Sequence, residues 1–132
     1  MTTSFGNRLN SALNAGGSEK FLQAFETLRQ AANDLTIWLR SHPDSQATVQ
    51  VEPGFPAKIG KQFNVVVRIP AKGVADTLFR AYVDTAGKTS LDFFGDQPVE
   101  CETQDQVESE VLKFLARPEV NSRMIVYKQL AN

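Results

Sequence analysis

The sequence predicts a two-layer α+β fold: a long N-terminal helix and one or two C-terminal helices packed on one face of a four-stranded antiparallel meander sheet. Two observations lead to this prediction. Residues 62–94 repeatedly alternate apolar and polar side chains, the pattern of strands with one buried face. Segments on both sides repeat apolar residues every three or four positions, as amphipathic helices do. An apolar sheet face needs a cover, and helices on one side provide it.

Two strands of the sheet are predicted over residues 62–69 and 77–84. Pro70 ends the first strand because it has no backbone donor for the ladder, and residues 71–76 form the loop. In each strand every second residue is apolar, so one face is expected to be buried and the other polar. The residues expected on the buried face are Phe63, Val65, Val67 and Ile69, followed by Phe79, Ala81 and Val83.

The next connection is predicted to be a three-residue hairpin loop over residues 85–87, with Gly87 in the left-handed conformation. Counting outward from this loop fixes the pairing of the two strands. Opposite charges then meet on one face and apolar side chains on the other, and a shift of one residue would abolish both matches. The predicted pairs are Asp84–Lys88, Tyr82–Ser90 and Arg80–Asp92 on the polar face, and Ala81–Leu91 and Phe79–Phe93 on the apolar face.

Residues 1–17 are predicted to be a flexible or weakly helical segment, and residues 18–132 a single domain. Phe5, Leu9 and Leu13 recur every four positions, which is typical of a short amphipathic helix. Because a helix of this length is marginal in water, it needs a partner or a second copy to pack against. Without such a surface, a frayed terminus is expected.

The longest helix is predicted from Ser18, as its N-cap, to His42, where Pro43 ends it. Its apolar stripe is broad and has two interpretations. Either the whole stripe covers the sheet, or part of it, Trp38 in particular, stays exposed for another subunit. The stripe consists of Phe21, Phe25, Leu28, Ala32, Leu35 and Leu39, widened by Leu22, Ile37 and Trp38.

The segments flanking the central strands are predicted from their prolines and glycines. Residues 47–51 form a short edge strand, and residues 52–60 form a loop stiffened by two prolines that contains Phe55. Residues 95–102 are expected to leave the sheet.

A C-terminal helical region follows. Thr103 and Gln106 have the spacing of a capping box, and Pro118 suits the first turn of a final helix. Residues 124–127 could alternatively form a strand. The residues expected to be buried are Val107, Val111, Leu112, Phe114 and Leu115 in the first of these helices, and Val120, Met124, Tyr127 and Leu130 in the second.

Composition argues against several classes of protein. The 132 residues carry a formal net charge of −1, which provides no field to attract nucleic acid. No apolar run approaches the ~20 residues that a membrane helix needs, so no membrane partner is predicted and the expected location is the cytoplasm. Cys101 is the only cysteine and His42 the only histidine, so neither an internal disulfide nor a two-histidine metal site is expected.

One short stretch resembles nucleotide-binding motifs. Residues 84–87 (Asp-Thr-Ala-Gly) resemble the Asp-x-x-Gly switch sequence of small GTPases, and residues 87–89 (Gly-Lys-Thr) the end of a phosphate-binding loop. Such a loop also needs a glycine where Tyr82 stands and a helix after the lysine, where a strand is predicted. Asp84 and Asp92 are each expected opposite a cation, and a carboxylate paired with a cation is a poor general acid. The sequence therefore predicts no catalytic residue, metal ligand or cofactor, and it favours a protein that is not an enzyme.

These exclusions favour a non-catalytic protein-interaction module: a small adaptor, chaperone-like protein, inhibitor or regulatory protein with a protein partner. The alternative is a small-molecule-binding or enzymatic domain with an apolar pocket between sheet and helices, lined by Phe63, Phe79 and Phe93. Surplus apolar surface also predicts self-association as a homodimer. The candidate binding residues are Arg68, Arg80 and Tyr82 on the polar sheet face, Phe55 in its loop and Trp38 on the long helix.

Overall fold

The computed structural model describes residues 4–14, 18–56, 61–95 and 97–132. Its five strands form one antiparallel sheet in the order β1-β2-β3-β4-β5. Helices α2, α3 and α4 pack on one face of this sheet, so the predicted two-layer α+β class is confirmed, with one strand more than expected. The helices are α1 (Ser4–Asn14), α2 (Ser18–Leu39), α3 (Gln104–Leu115) and α4 (Pro118–Ala131), and the strands are β1 (Thr48–Pro56), β2 (Lys61–Ile69), β3 (Val74–Val83), β4 (Thr89–Asp92) and β5 (Val99–Cys101).

The hairpin between β3 and β4 confirms the predicted turn and register. Gly87 has φ +82°, and its N–H donates to the carbonyl of Asp84 at 3.0 Å, closing a tight turn. Within the ladder Arg80 lies opposite Asp92 and Tyr82 opposite Ser90, as counted from the sequence. The phosphate-binding alternative required a helix after Lys88, and β4 occupies that place.

A β-bulge in β3 was not predicted. Val65 pairs with Phe79, but the next residue, Val66, pairs with Thr77, so Leu78 is an extra residue in β3. Simple alternation put Leu78 on the polar face, whereas it is fully buried in the core cluster. The bulge also lets β3 begin at Val74, three residues before the predicted start, because the pairing with β2 continues beyond it.

The fifth strand corrects the expectation that residues 95–102 leave the sheet. Val99 pairs with Leu91, and Cys101 pairs with Thr89 and is buried. Pairing with β4 satisfies backbone groups that would otherwise be left at an edge. Three residues are too few to show an alternation in the sequence.

The predicted loop at residues 52–60 was also wrong over its first half, because β1 continues to Pro56. β1 is an edge strand, where a proline without a donor can be accommodated. Its register with β2 shifts between Pro53 and Pro56, so the strand passes the prolines with an irregularity. Residues 57–60 lie outside the described part of the chain.

The core lies between the sheet and the three helices and is rich in aromatic side chains. Phe79, Phe93 and Phe114 form one cluster, with ring centres 4.5–5.9 Å apart. Phe63 contacts the rings of Phe21 and Phe25 on α2. The rings of Phe63, Phe79 and Phe93 thus cover one another or helix side chains, and this packing does not favour a ligand pocket among them.

Helix α2 ends at Leu39, three residues before the predicted end. The side chain of Asn132 caps the C-terminal end of α2. Its oxygen accepts hydrogen bonds from the backbone N–H groups of Ser41 (2.7 Å) and His42 (2.8 Å). Its nitrogen donates to the carbonyl of Leu39 at 2.7 Å. The chain has to leave the helical conformation before Pro43, and Asn132 satisfies the backbone groups exposed by that exit.

The C-terminal region confirms two helices. At the start of α3, Gln106 N–H donates to the hydroxyl of Thr103 at 3.2 Å, and the Gln106 side chain accepts from Thr103 N–H at 3.2 Å. Both halves of the predicted capping box are therefore present. Pro118 is the first residue of α4, which excludes the strand alternative for residues 124–127. None of the described helices combines the length and apolarity needed to cross a membrane.

Candidate protein-interaction groove

The five predicted binding residues do not form one surface. Arg68 and the neighbouring-strand residues Arg80 and Tyr82 lie on the sheet face opposite α2, α3 and α4. Trp38 lies on α2, in the helical layer. Phe55 belongs to β1, and its side chain is outside the described part of the structure. Two separate surfaces therefore have to be considered, one on the sheet and one on the helices.

On the sheet face, Arg68 is engaged within the chain. Its guanidinium donates two hydrogen bonds to the carboxylate of Glu52, at 2.5 Å and 2.7 Å. This bidentate hydrogen bonding holds the pKa of Glu52 below its usual value, against the opposing effect of partial burial. Arg68 lies opposite Thr48 and Glu52 opposite Asn64, so the ion pair spans the position of Val66 between them. Val66 is buried although it belongs to the polar face.

Arg80 lies opposite Asp92 as predicted, but the expected ion pair is wrong. No salt bridge joins the two within the described residues; the Arg80 guanidinium lies 5.1 Å from the ring centre of Phe94 instead. Asp92 accepts a hydrogen bond from the backbone N–H of Phe94 at 3.0 Å. Phe94 has φ +56°, and that local turn brings its ring beside the arginine.

Asp84 also lies opposite Lys88 as predicted, and its N–H donates to the Lys88 carbonyl at 3.0 Å, but the expected ion pair between their side chains does not form. The Asp84 carboxylate accepts from the N–H groups of Ala86 and Lys88, both at 2.9 Å, and so belongs to the hairpin turn. The ammonium of Lys88 instead reaches Glu100 (2.9 Å) and Glu102 (3.4 Å), which the unpredicted strand β5 brings alongside. These pairs leave the sheet face largely self-neutralising.

The edges of the sheet are poor sites for adding a strand from a partner. The hydroxyl of Thr36 on α2 accepts from Val49 N–H at 2.8 Å, and its single proton is shared between the carbonyls of Ala32 (3.0 Å) and Val49 (3.2 Å). Arg40 donates to the carbonyl of Ala47 at 2.7 Å, and Pro53 has no donor to offer. At the other edge β5 has only three residues. Both edges are thus protected in the way that prevents edge-to-edge pairing.

The helical layer contains an open apolar groove. A cavity of about 390 Å³ lies between α2 and α3, and an adjoining cavity of about 230 Å³ extends it to α4. The two share Leu35, Trp38 and Leu115, and we refer to them together as the α2–α3–α4 groove. Its apolar lining comprises Ala31, Leu35, Trp38, Val111, Leu112, Leu115 and Met124, and its polar lining Gln30, Asp34, Glu108 and Asn121.

Two large apolar side chains in this groove are exposed. Trp38 is 42% exposed, so packing against the sheet does not cover the whole α2 stripe, and its use by another subunit stays a prediction. Leu112 is 66% exposed, so its predicted burial was wrong. The buried residues of α3, Val107, Val111 and Phe114, lie within about 60° of one another around the helix axis, whereas Leu112 lies about 100° from Val111. The helical spacing thus places Leu112 at the margin of the buried stripe, where it lines the gap between α2 and α3.

Lys128 of α4 contacts both the ring and the backbone of Trp38. The lysine ammonium lies 4.5 Å from the indole ring centre and donates a hydrogen bond to the Trp38 backbone carbonyl. At the α2–α3 end of the groove the charged lining groups are Asp34 and Glu108, both acidic. The groove is therefore apolar along its floor and negatively charged at this rim.

This arrangement can recognise an apolar surface but offers little for bond-making chemistry. The described residues contain no group of three His, Cys, Asp or Glu side chains placed to hold a metal ion. Burial raises the pKa of the Cys101 thiol, and the nearby charge of Glu110 raises it further, which disfavours the reactive thiolate. Comparisons with protein-family models, with curated proteins and with solved structures found no match to this chain.

Proposed function

We propose that the protein is a non-catalytic protein-interaction module, a small adaptor, chaperone-like, inhibitor or regulatory protein of the cytoplasm, and that it binds its protein partner through the α2–α3–α4 groove. The observation that carries this proposal is the exposure of Trp38 and Leu112 across one concave apolar surface. Tryptophan is one of the residues enriched at interface hot spots, and an apolar groove between helices suits an amphipathic helix.

The rest of the surface supports the same choice. Thr36 and Arg40 occupy edge groups of β1, which disfavours recognition by strand addition. On the sheet face, Arg68 is bound to Glu52, and Arg80 lies against Phe94. A partner contacting Arg68 or Arg80 would have to compete with these internal contacts. In the described groove lining, Lys128 contacts Trp38 and Gln30 donates to Asp34, whereas Leu112 stays exposed.

The proposal is tested by comparing two variants of equal exposure. Leu112 lines the groove, and Ile37 on α2 does not; both are 66% exposed. Leu112→Glu and Ile37→Glu therefore add the same charge at similarly exposed helical positions, with little expected effect on stability. Proteins captured by the wild-type chain from its native source are identified, and their affinity for both variants is measured with purified components.

We expect Leu112→Glu to weaken the complex by about tenfold or more, because the carboxylate would be buried in an apolar contact. Ile37→Glu should bind like the wild type. Equal binding by all three chains would show that the partner does not use the groove, and the proposal would then be wrong.

A further inference from the structure

The described part of the structure contains a second exposed apolar surface. On α1, Phe5 and Leu9 are one helical turn apart and remain 65% and 43% exposed, although α1 contacts α2. We propose that the α2–α3–α4 groove is occupied by α1 of a second copy of this chain, so that two chains exchange their first helices. This inference rests on the proposed function of the groove as a protein-binding site and names its occupant.

The first argument is the stability of α1. It has 11 residues, which is below the length at which isolated helices are stable in water. Its apolar residues are therefore expected to gain most from a groove that buries them. Phe5 and Leu9, at positions i and i+4, present the side chains that a helix in a groove uses as anchors.

The second argument is charge. Arg8 is the only charged residue of α1, and it lies between the two apolar anchors. The charged lining groups at the α2–α3 end of the groove are Asp34 and Glu108. A helix carrying a single positive charge is thus complementary to this rim. The Lys128 ammonium that packs over Trp38 comes from α4, so the complementarity applies to the α2–α3 rim alone.

The third argument is the position of α1 in its own chain. There α1 contacts α2, but none of its described residues lines the groove, and Phe5 and Leu9 stay exposed. The groove of the same chain therefore remains open, and α1 of a second copy can enter it.

The proposal is tested with the whole 132-residue chain. Trp38 is its only tryptophan and lies in the groove, so tryptophan emission reports whether the groove is occupied. Sedimentation velocity and tryptophan emission are recorded together over a concentration series. If α1 enters the groove, Trp38 loses contact with water, and its emission moves to shorter wavelength as the dimer forms. A dimer formed through another surface would leave the emission unchanged.

Three variants separate the two halves of the contact. The double variant Phe5→Ser with Leu9→Ser removes the apolar anchors of α1 and leaves the groove intact. Leu112→Glu places a charge in the groove and leaves α1 intact. Each should raise the dimer dissociation constant about tenfold or more, whereas Ile37→Glu should match the wild type. Mixing the first two variants should form a heterodimer, because one supplies a groove and the other an α1. It should be weaker than the wild-type dimer, since only one of two contacts remains.

The inference is overturned if the wild-type chain stays monomeric with constant emission at all concentrations, or if a dimer persists when Phe5 and Leu9 are replaced. Neither result decides the proposed function. That function is measured by partner capture with the Phe5→Ser and Leu9→Ser chain, in which the groove is intact. If Leu112→Glu abolishes partner capture and the α1 substitutions do not, the proposed interaction function is supported and the helix exchange is rejected.

Discussion

The hydroxyl of Tyr127 on α4 donates a hydrogen bond of 2.6 Å to a carboxylate oxygen of Asp76 on β3. This contact depends on the bulge at Leu78. Beyond the bulge Asp76 pairs with Val67, which belongs to the helix-facing side of the sheet, whereas uninterrupted alternation would have placed it beside Arg80 on the other face. One extra residue in β3 thus joins the sheet to the last helix.

Replacing Tyr127 by Phe should lower the free energy of unfolding by about 1–2 kcal/mol, because a buried hydroxyl loses its bond to a charged acceptor while the ring is retained. Asp76 is exposed and can be rehydrated, so a larger loss is not expected. Urea unfolding of the variant at neutral pH measures the difference. An unchanged midpoint would show that the hydrogen bond does not contribute to stability.

The same tyrosine should make stability depend on alkaline pH. Burial, followed by the hydrogen bond to Asp76, raises the pKa of Tyr127 to about 12, above the value of about 10 for an unfolded tyrosine. The folded state therefore holds this proton more tightly, so the contribution is complete below about pH 10 and is lost as the pH rises toward 12. Unfolding free energies of wild type and Tyr127→Phe, measured from pH 8 to 11, should converge at the alkaline end.

Glu52 should produce the opposite dependence in acid. The hydrogen bonds from Arg68 lower the pKa of Glu52, so its contribution is present above the unfolded carboxyl pKa and is lost as the pH falls below it, through the lowered folded value. Glu52→Gln cannot titrate and should show a flatter loss of stability in acid. Identical acid unfolding curves for the two chains would contradict this prediction.

Gly87 and Gly73 form a matched pair for testing how the hairpin docks on α2. Both have positive φ, at +82° and +65°, so alanine is strained at either position. A Cβ at Gly87 would also lie 2.7 Å from the carbonyl oxygen of Lys20, whereas a Cβ at Gly73 has nothing within 4 Å. We expect Gly73→Ala to cost about 1 kcal/mol and Gly87→Ala clearly more. Equal losses in denaturant unfolding would mean that the contact with Lys20 relaxes freely.

Thr36 should matter more than an ordinary threonine of α2. Thr36→Val leaves the N–H of Val49 without its acceptor, which should cost about 1–3 kcal/mol and expose the β1 edge to pairing with other chains. Thr27→Val on the same helix removes only an exposed bond to the Gln23 carbonyl and should be nearly neutral. Thermal unfolding and light scattering measure the two effects, and equal behaviour of the variants would refute the protective role of Thr36.

The sequence by itself determined the three longer helices, the approximate positions of four strands and the pairing of β3 with β4. Gly87 and the alternation around it fix the hairpin register, and Thr103 with Gln106 fixes the start of α3. These features depend on neighbours within a few positions, so local chemistry is sufficient to specify them.

Only the tertiary structure decided which surfaces remain open. Lys88 binds Glu100 and Glu102 because β5 pairs with β4 and brings these two carboxylates close to the lysine. Asp76 accepts a hydrogen bond from Tyr127 because the bulge in β3 places it on the helix-facing side of the sheet. Leu112 lies at the margin of the apolar stripe of α3, and only the packing of α2 beside α3 makes it part of a groove. A helical sequence specifies which side is apolar, but how much of that side is covered depends on where the neighbouring helices pack.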